Sequence, residues 1–168
     1  MRIENHITDI QINAIVKSIN EACLEYRKYE SIRRKIFYEP YTIMRKKHDI
    51  TSAVLSAFAP KRCRVPGFKV KDIKYGLHNK LVQPELESDK AIVHFYSNSS
   101  NLDGKPIKKC SDLYNRDLEN KKLFIIFVFS VTKKGFLSKL TLNIPNNEGK
   151  IVESHVVYER NTKFKMVV

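Results

Sequence analysis

Residues 123–131 read Leu-Phe-Ile-Ile-Phe-Val-Phe-Ser-Val, nine positions of which eight are apolar, most of them β-branched or aromatic. A run of this length and composition is a β-strand with both faces buried, because a strand with one wet face alternates apolar and polar residues. Such a strand needs cover on two sides, which sets a layered arrangement of helices and sheet before any other residue is considered.

The surrounding sequence supplies the sheet. Lys134-Gly135 turns the chain into residues 136–144, where Leu140, Leu142 and Ile144 alternate with Lys139, Thr141 and Asn143. Pro145 to Gly149 turns it again into a strand over 151–158, and Glu159-Arg160-Asn161 is a turn before a last strand over 162–168. Upstream, Ala91 to Tyr96 is a short strand. Ser111-Asp112 can cap a short helix reaching about residue 120. Strands joined by such short turns pair antiparallel, since a parallel partner needs a crossover of roughly a dozen residues or more.

The N-terminal part has a different period. Behind Thr8 and Asp9, apolar residues recur at Ile12, Ile15, Val16, Ile19, Ala22, Cys23 and Tyr26. Spacing by three and four after a capping residue predicts an amphipathic helix over about 9–35. Asp49 can cap a second helix over about 49–59, stopped by Pro60. Residues 41–48 belong to a separate helical turn or to the start of that second helix. Residues 61–90 show no sustained period; Pro66-Gly67 marks a turn and Phe68 to Lys71 alternates like a short strand. The expected fold is therefore α+β, in one domain over 1–168. Residues 1–60 are mainly helical and 61–90 are a basic irregular segment. Residues 91–168 form an antiparallel β-meander of about four to five strands with one short helix. The helix over 9–35 can cover one face of the central strand, and the short helix 111–120 or a second copy of the chain the other.

Charge is the loudest functional signal. The chain carries 31 Lys and Arg against 18 Asp and Glu, a net charge of +13. Residues 27–80 hold fifteen of the cations and only four of the acids. Such a field attracts polyanions, of which nucleic acid is the commonest, and Phe37, Tyr38, Tyr41, Phe58, Phe68 and Tyr75 lie among the cations where a base can stack on them. The residues expected to contact nucleic acid are Arg33, Arg34, Lys35, Arg45, Lys46, Lys47, Lys61, Arg62, Arg64, Lys69, Lys71 and Lys74, with Tyr38, Phe68 and Tyr75 available for stacking. Two plainer readings stand beside this one: a solvated basic face that binds nothing, and aromatic residues that belong to the core.

Motifs for catalysis are sparse. The five histidines include no HExxH or HxH pair, so no metal site is expected. His94 and His155 would share a face with Glu153 only if their strands aligned suitably; two unrelated polar positions are the expected outcome. Glu148-Gly149-Lys150 has the spacing of a nuclease E-x-K element, yet Asn146 replaces the required acid and the segment reads as a hairpin turn. Glu85, Glu87 and Asp89 form a small acidic cluster better placed for a divalent ion, with a solvated turn as the expected account. Gly104-Lys105-Pro106 lacks the Ser or Thr of a phosphate-binding loop. Cys63 lies between Arg62 and Arg64, and adjacent cations lower a thiol pKa, but no base accompanies it and a plain thiol is expected. Cys23, Cys63 and Cys110 are too scattered for a disulfide framework.

The chain has no apolar run long enough to span a membrane, and Met1 to His6 lacks the apolar block of a secretion signal. The expectation is a soluble, cytoplasmic nucleic-acid-binding protein without cofactor. A small metal-independent ribonuclease of the toxin type and a module docking on an acidic protein are the alternatives. Homodimerisation is a further expectation.

Overall fold

The computed structural model describes residues 3–36, 46–75, 81–98, 122–146 and 148–160. After a short 3-10 turn, helix α1 spans Asp9–Ile36 and α2 spans Lys46–Ala57. Six strands follow: β1 Lys69–Tyr75, β2 Leu81–Glu87, β3 Ala91–Ser97, β4 Leu123–Val131, β5 Leu137–Pro145 and β6 Ile151–Glu159. They form one sheet whose spatial order equals the chain order, β1-β2-β3-β4-β5-β6. The α+β class is thus as the sequence predicts.

Thr8 starts α1 by a reciprocal cap. The Gln11 backbone N–H donates to Thr8 Oγ1 at 3.3 Å and the Thr8 N–H donates to Gln11 Oε1 at 2.9 Å. Two of the donors that a helix start leaves unpaired are satisfied in this way. The stripe Ile15, Ile19, Ala22, Cys23 and Tyr26 is buried, as is Val54 of α2. Phe58, just past α2, stacks on Phe95 of β3 with ring centroids 3.9 Å apart, and Phe95 lies 5.9 Å from Phe127 of β4.

The strand β4 is buried from Leu123 to Phe129. Leu123, Ile125, Phe127 and Phe129 join Val93, Phe95, Leu140 and Leu142 under the helices, in the same cluster as Ile15, Ile19 and Phe58. The intervening Phe124, Ile126 and Val128 form a second cluster with Ile92 on the opposite face. Each such side chain contributes on the order of 1.5–3 kcal/mol by leaving water. The short helix expected over 111–120, the loop before it and the last strand expected over 162–168 lie outside the described residues.

Three expectations are corrected. The sheet is not wholly antiparallel: β3 and β4 pair parallel, from Ala91 opposite Leu123 to Ser97 opposite Phe129. Short turns force antiparallel pairing only on the strands they join, and the connection between Ser97 and Leu123 is long enough for a crossover. The segment 61–90 is not irregular, since β1 and β2 form an antiparallel hairpin with Lys69 opposite Glu87 and Tyr75 opposite Leu81. The described strands therefore number six rather than four to five. Lys46 to His48 belong to α2, one of the two readings expected for residues 41–48, and Asp49 lies in the first turn of that helix.

Pro84 obscured the β2 strand in the sequence, since proline is confined to edges and breaks in a ladder. The ladder to β3 holds only Leu86 opposite Val93 and Glu87 opposite Ile92. Continuing that register puts Pro84 opposite Phe95, where it has no N–H to give. The Gln83 side chain takes its place and donates to the Phe95 carbonyl at 2.9 Å. No helix among the described residues is long and apolar enough to cross a membrane.

Candidate functional site

The residues expected to bind nucleic acid fall into separate groups. Lys61, Arg62 and Arg64 are exposed in the turn after α2. That turn is tied to the first turn of α1, because Gln11 Nε2 donates to the Pro66 carbonyl at 3.0 Å. Arg33, Arg34 and Lys35 lie in the last turns of α1. At about 1.5 Å per residue, that end is about 33 Å from Gln11 along the helix axis. Lys46 and Lys47 open α2. Lys69, Lys71, Lys74 and Tyr75 belong to β1, at one edge of the described sheet. Phe68 packs against the core beneath the helices. Tyr38 and Arg45 lie outside the described residues.

On β1 the cations meet acids. Lys69 is opposite Glu87 and Lys71 opposite Glu85. Glu87 pairs with both Lys71 and Lys122. The hydrogen bonds from Lys122 and Lys71 hold the Glu87 carboxyl down at about 2. Lys71 is thus compensated within the protein.

A different convergence appears around Arg27 of α1. Tyr26 is the last residue of α1 recorded as buried, and Lys28, Tyr29, Ser31 and Ile32 beyond it are exposed. At this level the β4–β5 turn comes up against the helix. Gly135 has φ +80°, and a Cβ there would stand 3.0 Å from Arg27 Cγ, so glycine provides both the left-handed turn and the room for the arginine. The turn is closed by Gly135 N–H donating to the Thr132 carbonyl at 2.9 Å and Thr132 N–H donating to the Phe136 carbonyl at 2.8 Å.

Phe136, the next residue, carries two guanidinium groups. The Arg27 carbon Cζ lies 3.7 Å from its ring centroid and that of Arg160 lies 4.1 Å away. Arg160 is fixed by its backbone N–H, which donates to the Ser138 carbonyl at 2.8 Å. At most about 8 Å then separates the two cations, one screening length at physiological ionic strength. Lys133 and Lys134 are exposed on the same turn. Among the described residues none of these four cations takes part in an ion pair. Of the four, Arg27 belongs to the basic stretch 27–80, while Lys133, Lys134 and Arg160 lie outside it. The one available signal in the sequence was Lys133-Lys134-Gly135-Phe136, two cations and an aromatic in a tight turn.

The histidines do not meet. His94 lies on the face of Phe124 and Ile126, its ring at 4.9 Å and edge-on to Phe124. Its Nε2 lies 2.9 Å from Glu85 Oε2, and both side chains are almost wholly buried. His155 is opposite Leu142, on the helix-covered face, and bonds to Glu153 at 2.7 Å in the open. The expected outcome, two unrelated positions, is what the structure has. Glu148, Gly149 and Lys150 sit in the β5–β6 turn, with the Lys150 and Glu148 N–H groups donating to Asn146 Oδ1. Among the described residues no three His, Cys, Asp or Glu side chains gather as metal ligands. Burial raises the Cys63 thiol pKa despite its flanking arginines, and pushes Cys23 up to about 11.

Comparison of the chain with protein-family models, curated proteins and solved structures returns no match.

Proposed function

We propose that the protein binds nucleic acid, with its principal contact where Arg27 of α1 meets the β4–β5 turn and the end of β6. The observation that carries this reading is the pair of guanidinium groups on Phe136, brought there from two distant parts of the chain and joined by Lys133 and Lys134. Packing uncompensated cations together is unfavourable unless an anion relieves the repulsion. Phosphate groups would meet Arg27, Lys133, Lys134 and Arg160, while a planar guanidinium also offers a stacking surface to an unpaired base. Arg33, Arg34 and Lys35, one to two turns further along α1, extend the same end of the helix. The turn bearing Lys61, Arg62 and Arg64 is a separate contact for a longer ligand.

The test is the affinity for single-stranded and duplex DNA and RNA at about 50 and 200 mM salt, where each neutralised phosphate adds to the salt dependence. Arg160→Ala and Lys134→Ala should each lower the slope of log affinity against log salt by about one. Absence of binding at the lower salt overturns the reading, and retention of a defined acidic protein in its place assigns the surface to that partner.

A further inference from the structure

The two outer strands of the described sheet have opposite characters. β1 reads Lys-Val-Lys-Asp-Ile-Lys-Tyr, and charges on an edge discourage a further strand from adding. β6 reads Ile-Val-Glu-Ser-His-Val-Val-Tyr-Glu, with only Glu153 and Glu159 as acids and no lysine or arginine. Among the described residues its one strand neighbour is β5. Val152 and Val156 are 63% and 53% exposed, among the largest apolar exposures of the described sheet.

We propose that the β6 edge is a homodimer interface, in which a second copy of the chain adds its own β6 antiparallel about a two-fold axis at Ser154. The argument is the self-complementarity of the strand. A two-fold pair centred on Ser154 sets Val152 opposite Val156 of the partner subunit and Val156 opposite Val152 of the partner subunit. The same register sets Glu153 opposite the partner's His155, and His155 opposite the partner's Glu153. Both exposed valines are then covered twice over, and the Glu153–His155 contact, 2.7 Å within one chain, becomes a four-membered cluster of alternating donors and acceptors. Cross-strand apolar and oppositely charged pairs are the units that stabilise a sheet. An isologous contact of this kind closes on itself and produces a dimer rather than a fibre. Irregularities of the β5–β6 register beside Ile144 and Leu140 bound the pairing to the few residues around its centre, so the interface is small.

Sedimentation equilibrium of the full chain at about 100 μM, well above a micromolar dissociation constant, should give the dimer mass. Val156→Lys should give the monomer with an unchanged circular dichroism spectrum. Glu153→Lys should weaken the dimer at least tenfold by facing the partner's His155, and adding His155→Glu to it should restore the association by reversing the pair. A full chain that is monomeric at that concentration overturns the proposal and leaves the edge to another occupant, residues 161–168 of the same chain among them. A dimer that survives Val156→Lys overturns it equally. Neither result bears on nucleic-acid binding, whose proposed contacts are Arg27, Lys133, Lys134 and Arg160 around Phe136 and not the residues around Ser154.

Discussion

His94 and Glu85 are joined by a 2.9 Å hydrogen bond between adjacent strands, with both side chains almost wholly removed from solvent. Continuing the β2–β3 register makes them a directly opposed pair, at the place where Pro84 interrupts the ladder. The hydrogen bond between the Glu85 carboxyl and Nε2 is what sets the tautomer of the ring. The second ring nitrogen, Nδ1, is buried and has no hydrogen-bond partner among the described residues.

Replacing Glu85 by Leu should therefore destabilise the fold by about 1–3 kcal/mol, the cost of stranding a buried polar group. Glu85→Gln keeps a hydrogen-bond partner for His94 and should lose less than half as much. Urea denaturation of both variants distinguishes the cases, and equal stabilities would show that the bond contributes nothing.

The stack on Phe136 joins stability to binding. Phe136→Ala removes two cation–π contacts worth about 0.5–1 kcal/mol each at a partly exposed site. Thermal unfolding should shift down accordingly, and Arg27 and Arg160 should lose their fixed positions. Phe136→Leu should recover part of the packing and none of the cation contacts. Nucleic-acid affinity should then fall in both variants, whereas Arg62→Ala should leave the affinity for a short oligonucleotide within about twofold of the native protein.

Acid should act through Glu87. Its carboxyl is held at about 2, against an ordinary value of 4.5, by the hydrogen bonds of Lys122 and Lys71. A carboxyl lowered in the folded state stabilises that state fully above its unfolded pKa. The contribution is lost as the pH falls from about 4.5 to about 2. Unfolding free energy measured across this window should drop in the native protein and change less in Glu87→Gln.

Thiol chemistry should separate the cysteines by packing. Cys23 is buried against Leu137, with a pKa near 11, so almost none of it is thiolate at neutral pH. It should resist a disulfide reagent until the protein unfolds, while Cys63, only partly buried, should react in the native state at a slow rate. Fast labelling of Cys23 in the native protein would contradict the burial of that helix face.

Much of the fold was legible because it is written locally. The run Leu123 to Phe129 specified burial on both faces, Thr8 with Asp9 specified the start of α1, and the glycines at 135 and 149 marked the turns around β5. The β1–β2 hairpin was hidden because Pro84 argues against a strand, and only the tertiary answer from Gln83 makes it tolerable there. The parallel pairing of Ala91–Ser97 with Leu123–Val131 has no local signature at all, since apolar strands pair in either sense. The site was the least legible part. Counting charge along the chain pointed to residues 27–80, yet Lys69 and Lys71 of that stretch face acids on β2. Arg27 finds Arg160 only through Phe136, a meeting that depends on where a helix lies across a sheet.

The sheet order has a kinetic consequence. Among the described residues β1, β2 and β3 pair in chain order, and so do β4, β5 and β6, and the parallel contact of β3 with β4 is the one strand seam between these triplets. Each triplet closes through short loops, whereas the seam closes over a long one, so its closure carries the larger entropy and sets the refolding rate. Shortening Val93 or Ile125 should slow refolding, while a change at Thr141 should speed unfolding instead, which stopped-flow measurements on such variants would resolve.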